Sequence, residues 1–343
     1  MPYGSITPEI LAQFEAIVGQ GNLFVDEETC TICASDETED HVFMPSVVLT
    51  PSTAEEIGAI LGICNAHVIP VTPRGGGTSL SGGSLPVEGG VVVWMKRFNR
   101  ILNIDELNLQ ATVEPGVITE VFQNAVKEVG LFYPPDPSSR GTCVLGGNLA
   151  ANAGGPKAVK YGVTRDYVLN MQVVLPTGEV IWTAANVLKN STGYNLTQLM
   201  CGSEGTLGII TRIVFKLRPL PRKDVTLLVP FTTSEEACRA ISGIYKAGVI
   251  PSGMEFMERD AIVLTMKYLD EVLHKPVSID LPDHINAHMI IELDGNDEEV
   301  LMRDAETITA VLEHYETGEI YFAESAEEKE SLWRLRRNVS PGV

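Results

Sequence analysis

Residues 73–83 read Pro-Arg-Gly-Gly-Gly-Thr-Ser-Leu-Ser-Gly-Gly. Gly75, Gly76 and Gly77 carry no Cβ, so the backbone there is free to take positive φ and turn several N–H groups toward one anion. Arg74 adds a cation, and Thr78 and Ser79 add hydroxyl donors. The ligand that suits such a loop is a phosphate or pyrophosphate. The common nucleotide signatures do not account for it. A Rossmann fingerprint needs G-x-G-x-x-G, and Leu80 stands where its third glycine belongs. A P-loop needs a lysine after its second glycine, and no suitable glycine pair has one. A flexible surface turn is the plain alternative.

Two further stretches have the same character. Residues 133–155 (YPPDPSSRGTCVLGGNLAANAGG) and 188–212 (LKNSTGYNLTQLMCGSEGTLGIITR) are dense in Gly, Ala, Ser, Thr and Asn and poor in charge. Small residues let a flat ligand approach the backbone and use its donors and acceptors. One such loop is weak evidence. Three describe a long cofactor lying across a domain.

The combination PRGGGTSLSGG, PPDPSS, GGNLAANAGGPKAVKYGVTRDYVL, VVLPTGE, LKNSTGYNLTQLMCGSEGTLGIIT and PSGMEFMER resembles the vanillyl-alcohol oxidase / p-cresol methylhydroxylase superfamily. The branch it is most similar to holds the flavin-binding component of glycolate oxidase, FAD-linked D-lactate dehydrogenases and D-2-hydroxyglutarate dehydrogenases. The resemblance runs from about residue 30 to the last residue. It implies an α+β protein, with an FAD-binding domain of the p-cresol methylhydroxylase type followed by part of a ferredoxin-like α+β substrate (cap) domain. It implies that Arg74, Gly75, Gly76, Gly77, Thr78 and Ser79 hold the FAD pyrophosphate. Pro135, Asp136, Ser138, Cys143, Gly146, Gly147, Asn148, Ala151, Asn152, Gly154, Gly155, Tyr161 and Gly162 then run beside the isoalloxazine and ribityl chain. Glu204, Gly205, Gly208, Ile209 and Ile210 line the adenine and ribose end. Asp136 and Glu204 could instead serve only their local turns. Relatives with covalent flavin often carry a histidine in the first loop; Gly77 and Thr78 stand there, so non-covalent FAD is expected.

On the substrate side, Trp333-Arg334-Leu335-Arg336 resembles the W-x-L-R motif whose arginine clamps a substrate carboxylate. A guanidinium suits that task because its planar fork can pair both oxygens. The alternative is that Arg334, Arg336 and Arg337 only complement a helix C-terminus. The activity implied is oxidation of a small D-2-hydroxyacid of the glycolate or D-lactate type to the 2-oxoacid. A hydride passes to flavin N5, and electrons go on to an electron-transferring flavoprotein, an iron–sulfur subunit or a quinone. The rival reading is a non-catalytic FAD-binding or electron-relay subunit of a larger oxidase. By the same resemblance, the chain stops inside the cap domain. A histidine-rich site for a divalent metal and the histidine base would lie beyond Val343, and no metal ligands are expected in these residues. His284 and His288 are four apart, a ligand spacing on a helix, but Pro282 precedes them and strand-like residues follow.

Composition limits the rest. The 343 residues hold 45 acidic and 25 basic side chains, a net charge of −20. That excludes a nucleic-acid binder and disfavours an anionic membrane face. No basic segment followed by an apolar one opens the chain, and no apolar run reaches membrane-span length, so a cytoplasmic protein is expected. Cys30 and Cys33 have C-x-x-C spacing without a second pair, which reads as two ordinary thiols before it reads as zinc or redox chemistry.

The elements that must position these residues follow from periodicity. Thr7 before Pro8 opens a helix with apolar Ile10, Leu11, Phe14, Ile17 and Val18. Ser52 with Glu55 has capping-box spacing for a helix over 54–66, followed by a strand at 67–71 leading into the glycine loop. Strands are expected at 90–95, 110–114 and 208–217, with a helix at 118–129 and a hairpin at 171–183. Pro219 and Pro221 mark a boundary, giving domains 1–222 and 223–343. The second alternates strands (225–231, 252–257, 288–293, 319–323) with helices (234–247, 259–272, 298–314, 324–338), an arrangement with helices on one face of a small sheet.

Overall fold

The computed structural model describes residues 3–38 and 40–342. They form two compact units. One comprises Met1–Tyr133, Ser139–Ala153 and Val163–Pro219; the other comprises Pro134–Ser138, Gly154–Gly162 and Leu220–Val343.

The first unit holds a four-stranded sheet, a five-stranded sheet and a two-stranded pair, Leu131–Phe132 with Arg218–Pro219. Its four-stranded sheet runs in the order Leu23–Phe24, Val47–Leu49, Val91–Trp94, Val71–Arg74, with the last three parallel. Parallel strands covered on both faces read as unbroken apolar runs, and VVL and VVV are such runs. Val47, Leu49, Val91 and Val93 face helices Pro8–Val18 and Ala54–His67, while Val48 and Val92 face Cys30 and Cys33 of helix Glu27–Ala34. The C-x-x-C pair is thereby a buried apolar surface. The five-stranded antiparallel sheet runs Ile101–Asp105, Gln110–Val113, Ile209–Lys216, Val168–Val174, Val180–Trp182. Phe122 of helix Thr119–Glu128 packs 5.6 Å from Phe215, and Tyr133 packs 4.8 Å from Phe215.

Two local expectations are corrected. The strand expected at 67–71 begins at Val71; helix Ala54–His67 runs on, and Val68 ends it in the left-handed region, φ 55°. The cap of that helix is Thr53, whose hydroxyl accepts the Glu56 N–H at 3.1 Å, while Glu56 reaches back to the N–H of Ser52 at 2.6 Å. Both residues offer the spacing. Thr53 is β-branched and sits in the extended conformation a cap requires, φ −134°, ψ 158°.

The second unit is a four-stranded antiparallel sheet ordered Gly253–Glu258, Ala287–Gly295, Lys223–Phe231, Tyr321–Ala323. The path strand, helix, strand, strand, helix, strand gives the ferredoxin-like arrangement, with helix Arg259–Glu271 added between the second and third strands. Helices Ser234–Lys246 and Glu298–Leu312 cover one face. The opposite face is also covered, by Arg259–Glu271 and Ala326–Arg337 through Ile262, Leu269, Leu332 and Trp333. The expectation of one helical face is therefore corrected to two, which explains why Ala287–Asp294 is buried without interruption.

Thr53→Ala should lower the stability of the first unit by about 1 kcal/mol, and Ser52→Ala by less, because Glu56 keeps the residue-52 N–H. Urea unfolding of both variants decides it; a larger loss at Ser52 would return the cap to that residue.

Candidate functional site

In the first unit, strand Val71–Arg74 delivers the chain directly into the triple glycine. Gly77 has φ 72°, while Gly75 and Gly76 do not enter the left-handed region. What excludes a side chain at Gly76 is space: a Cβ there would stand 2.8 Å from the Thr142 carbonyl oxygen, and one at Gly75 would stand 2.8 Å from Val144 Cγ2. A Cβ at Gly77 would collide with the Arg74 guanidinium.

Arg74 itself is buried beneath the loop. Its Nη2 donates to the Ile32 carbonyl at 2.9 Å, and Nη1 lies 3.5 Å from Ser84 Oγ, which donates to Asp36 Oδ2 at 3.1 Å. Its Nε is buried without a partner. Burial pushes its pKa down, while Cys33 and Asp36 pull the other way. Ser79 Oγ accepts the N–H groups of Ser81 and Gly83 at 3.2 and 3.4 Å and so shapes the loop's second half; Thr78 beside it is half-buried.

The other two stretches close on this loop. Helix Leu145–Ala151 starts against it, with Gly146 N–H donating to Pro115 O at 2.7 Å and leaving no room for a side chain, since a Cβ would lie 2.5 Å from Pro115 Cβ. Gly147 and Ala151 are exposed. Asn148 is buried and donates its amide to Thr119 Oγ1 at 2.6 Å, beside Cys143 Sγ at 3.3 Å from the same hydroxyl. Asn152 ends the helix at φ 49° and accepts the Arg165 N–H at 3.0 Å. Backbone bonds from Gly202 to Leu149 (2.9 Å) and from Glu204 to Ala150 (3.0 Å) fasten the third stretch alongside. Gly205, φ 77°, would place a Cβ 2.5 Å from Pro73 Cγ, and the exposed Glu204, φ 51°, lies beside Gly83. Gly208 is packed on Val173, where a Cβ would lie 2.5 Å from Cγ1, and Ile209 is buried with Ile210 half-buried next to it. The predicted residues thus divide. Gly76, Gly147, Ala151, Glu204 and part of Gly75 and Gly205 present surface; Arg74, Cys143, Gly146, Asn148, Gly208 and Ile209 build the support.

A pocket of about 420 Å³ opens against Gly75 and Gly76, lined also by Trp94, Lys96, Asn99, Gly116, Val117, Ile118, Thr142 and Val144. Trp94 Nε1 donates to Gly75 O at 3.2 Å, and Lys96 Nζ lies 4.1 Å over the Trp94 ring. Sequence reasoning missed Trp94, Lys96, Asn99 and Ile118. The signal was there in part: Glu114-Pro115-Gly116, between the strand expected at 110–114 and the helix expected at 118–129, has the composition of a turn, though nothing marks it as a pocket wall. Exposed backbone without side chains, a buried cation beneath it and an adjoining pocket fit a dinucleotide such as FAD.

In the second unit, Pro135, Asp136, Ser138, Gly154, Gly155, Tyr161 and Gly162 gather with the C-terminal sheet. A Cβ on Gly155 would collide with the Asp136 carbonyl, so these two short pieces lie backbone on backbone. The Tyr161 hydroxyl bonds both oxygens of Asp294 at 2.8 and 2.9 Å, and Lys160 Nζ reaches Asp294 Oδ1 at 2.5 Å. Two residues earlier on the same strand, Glu292 accepts from Lys157 Nζ, from Ser252 Oγ at 3.1 Å and from Trp333 Nε1 at 2.8 Å. Burial works against the Lys157 charge, but Glu292 beside it holds the ammonium above its ordinary pKa. Arg336, one turn beyond Trp333, pairs through Nη2 with Glu255 Oε2 at 2.5 Å, and its Nε is buried without a partner among the described residues. Lys157, Lys160, Glu255, Glu292 and Asp294 were not foreseen, although two carboxylates inside the apolar run MIIELDG were a readable sign of buried partners.

His288 lies on the same strand, where burial pushes its pKa down to about 4; His284 lies in the loop before it, so the pair does not share a helix. Among the described residues no group of three or more His, Cys, Asp or Glu is placed to hold a metal, and no helix is long and apolar enough to cross a membrane.

Residues 45–184 match the FAD binding domain family, and residues 220–343 match the C-terminal domain of FAD linked oxidases. The glycolate oxidase subunit GlcD of Bacillus subtilis (strain 168) is 40% identical over 334 residues, 97% of this chain and 69% of that protein. D-lactate dehydrogenase of Anaerostipes hadrus is 36% identical over 339 residues, 97% of this chain and 70% of that protein. A solved structure of p-cresol methylhydroxylase with substrate bound superposes with a TM-score of 0.79 at 19% identity, over 98% of this chain and 72% of that one, and so shares the fold. With both domains matched and two thirds of these relatives' length covered, the chain belongs to the FAD-linked oxidase family that includes glycolate oxidase subunit GlcD and D-lactate dehydrogenase.

Proposed function

We propose that this chain binds FAD non-covalently and oxidises a small D-2-hydroxyacid, of the glycolate or D-lactate type, to the 2-oxoacid. The family and the names of its relatives support the reaction class. The observation that carries the substrate class is Arg336. It is a guanidinium on a helix fixed by Trp333, with a donor, Nε, that is buried and unsatisfied. Buried donors normally have acceptors, and the carboxylate of a 2-hydroxyacid is one that fits a planar fork.

When bound, FAD supplies the hydride acceptor. The chain's own residues bind the cofactor and orient the substrate. Exposed Gly76 and Gly147 let the backbone meet the cofactor, and Arg74 beneath them offsets pyrophosphate charge. Arg336 orients the substrate by its carboxylate, the kind of positioning that lowers the barrier without touching the reacting bond. Electrons leave to a separate acceptor, for which an electron-transferring flavoprotein, an iron–sulfur subunit and a quinone are the candidates.

Purified protein should be yellow, and acid denaturation should release the flavin into the supernatant, because Gly77 and Thr78 offer no histidine for attachment. Flavin remaining on the denatured polypeptide would refute non-covalent binding.

Gly76→Val should cut FAD affinity sharply while leaving the second unit folded, since its side chain has no room against Thr142. Titration of apoprotein with FAD measures it; equal affinity in both proteins would make the loop structural only.

In a version of the protein extended beyond Val343, Arg336→Lys should lower kcat/KM for glycolate or D-lactate by about one to two orders of magnitude, the loss of one hydrogen bond to a charged group. FAD content should not change. Unaltered kcat/KM on every active substrate would remove Arg336 from the site.

A further inference from the structure

We propose that Glu255 is an internal stand-in for the substrate carboxylate: it occupies Arg336 in the empty protein and must give way when substrate binds. This rests on the reading of Arg336 as the carboxylate clamp and adds to it a residue that sets affinity. Glu292 and Glu255 each pair with a cation, and they are held differently. Glu292 has Lys157, Ser252 and Trp333 around it and is buried. Glu255 is held by Arg336 through one contact, Nη2 to Oε2 at 2.5 Å, on an edge strand of the sheet.

A carboxylate that bound Arg336 side-on would use Nη2 and Nε together. Glu255 takes Nη2 and leaves Nε buried and unpaired. The fork is half filled. A single-pronged internal partner neutralises a partly buried guanidinium, which would otherwise be costly, yet it leaves the two-pronged arrangement open to a better-placed carboxylate. The side chain of Glu255 retains 16% of its exposure, so water can take the displaced carboxylate. Glu292, in contrast, orients the Trp333 end of the helix and stays in place.

The test uses the FAD-loaded chain and pyruvate as the probe, titrated calorimetrically, with Glu255→Gln as the main variant. The amide keeps the shape and one acceptor but is a weaker competitor than a carboxylate, so pyruvate should bind tighter by on the order of tenfold. Glu255→Met, which removes charge and acceptor together, should move affinity in the same direction. With D-lactate as substrate, KM should fall in Glu255→Gln while kcat stays the same. A merely structural residue would change thermal stability and could not tighten binding. Unchanged or weaker pyruvate binding in both variants, with normal FAD content, overturns the proposal. Arg336→Gln serves as the separate control. It should abolish the binding, and Glu255→Gln should have no further effect in that background. If Arg336→Gln binds pyruvate as the unaltered protein does, the clamp reading falls and the stand-in falls with it.

Discussion

The first unit depends on close approaches at glycines, where a neighbouring carbonyl or proline ring fills the space a Cβ would need. Gly76 lies against the Thr142 carbonyl, Gly146 against Pro115, and Gly205 against Pro73, each at a distance a Cβ could not share. These contacts draw three stretches that are far apart in sequence onto one surface. The same missing Cβ atoms leave exposed peptide groups at Gly76 and Gly147. Packing and exposure of backbone therefore make one demand, and a single substitution at such a glycine disturbs both.

Electrostatics has to work against the whole molecule here. A protein of net charge −20 repels an anionic cofactor at long range. At physiological salt that repulsion fades beyond about 8 Å, so the charges directly under the loop decide the outcome. Arg74 is such a charge. It is buried, bonded to a neutral carbonyl and linked to Asp36 only through Ser84, so its charge is not cancelled by a direct ion pair among the described residues. Had Arg74 met a carboxylate face to face, the loop would present peptide dipoles alone.

What was legible in the sequence was whatever local chemistry imposes. Thr7 caps its helix as read, because a hydroxyl followed by helical spacing has one good use. The strands of the second unit were found because apolar runs of that length must be covered. The register of the Thr53 cap was missed by one residue because two hydroxyls offered the same spacing. The second helical layer was missed because amphipathic helices do not announce which face of a sheet they cover. Lys157, Glu292 and Glu255 stand 37 to 135 residues from one another and their partners in sequence, and only the sheet brings them together. Trp94 and Lys96 were hidden by their place at the end of a core strand, where aromatic and long side chains are ordinary.

The three arginines near the end of helix Ala326–Arg337 show how the fold separates tasks the sequence leaves merged. All of them suit a helix C-terminus equally well by charge. In the folded unit Arg337 turns to Glu330 on its own helix, at 2.5 Å, a local pairing. Arg336 turns away from its helix to Glu255 on the sheet edge. The difference comes from Trp333. Its indole is fixed by Glu292 and packed over Gly253, where a Cβ would lie 3.1 Å from the ring, and that sets the rotation of the helix about its axis. Residues three and four apart are neighbours on one face, so once Trp333 is anchored, Arg336 lies about 60° to one side of it and Arg337 about 40° to the other; the first side meets Glu255 on the sheet edge and the second meets Glu330. A dipole interaction would hold for any rotation. The Arg336–Glu255 pair requires one, and the buried Glu292 carboxylate supplies it.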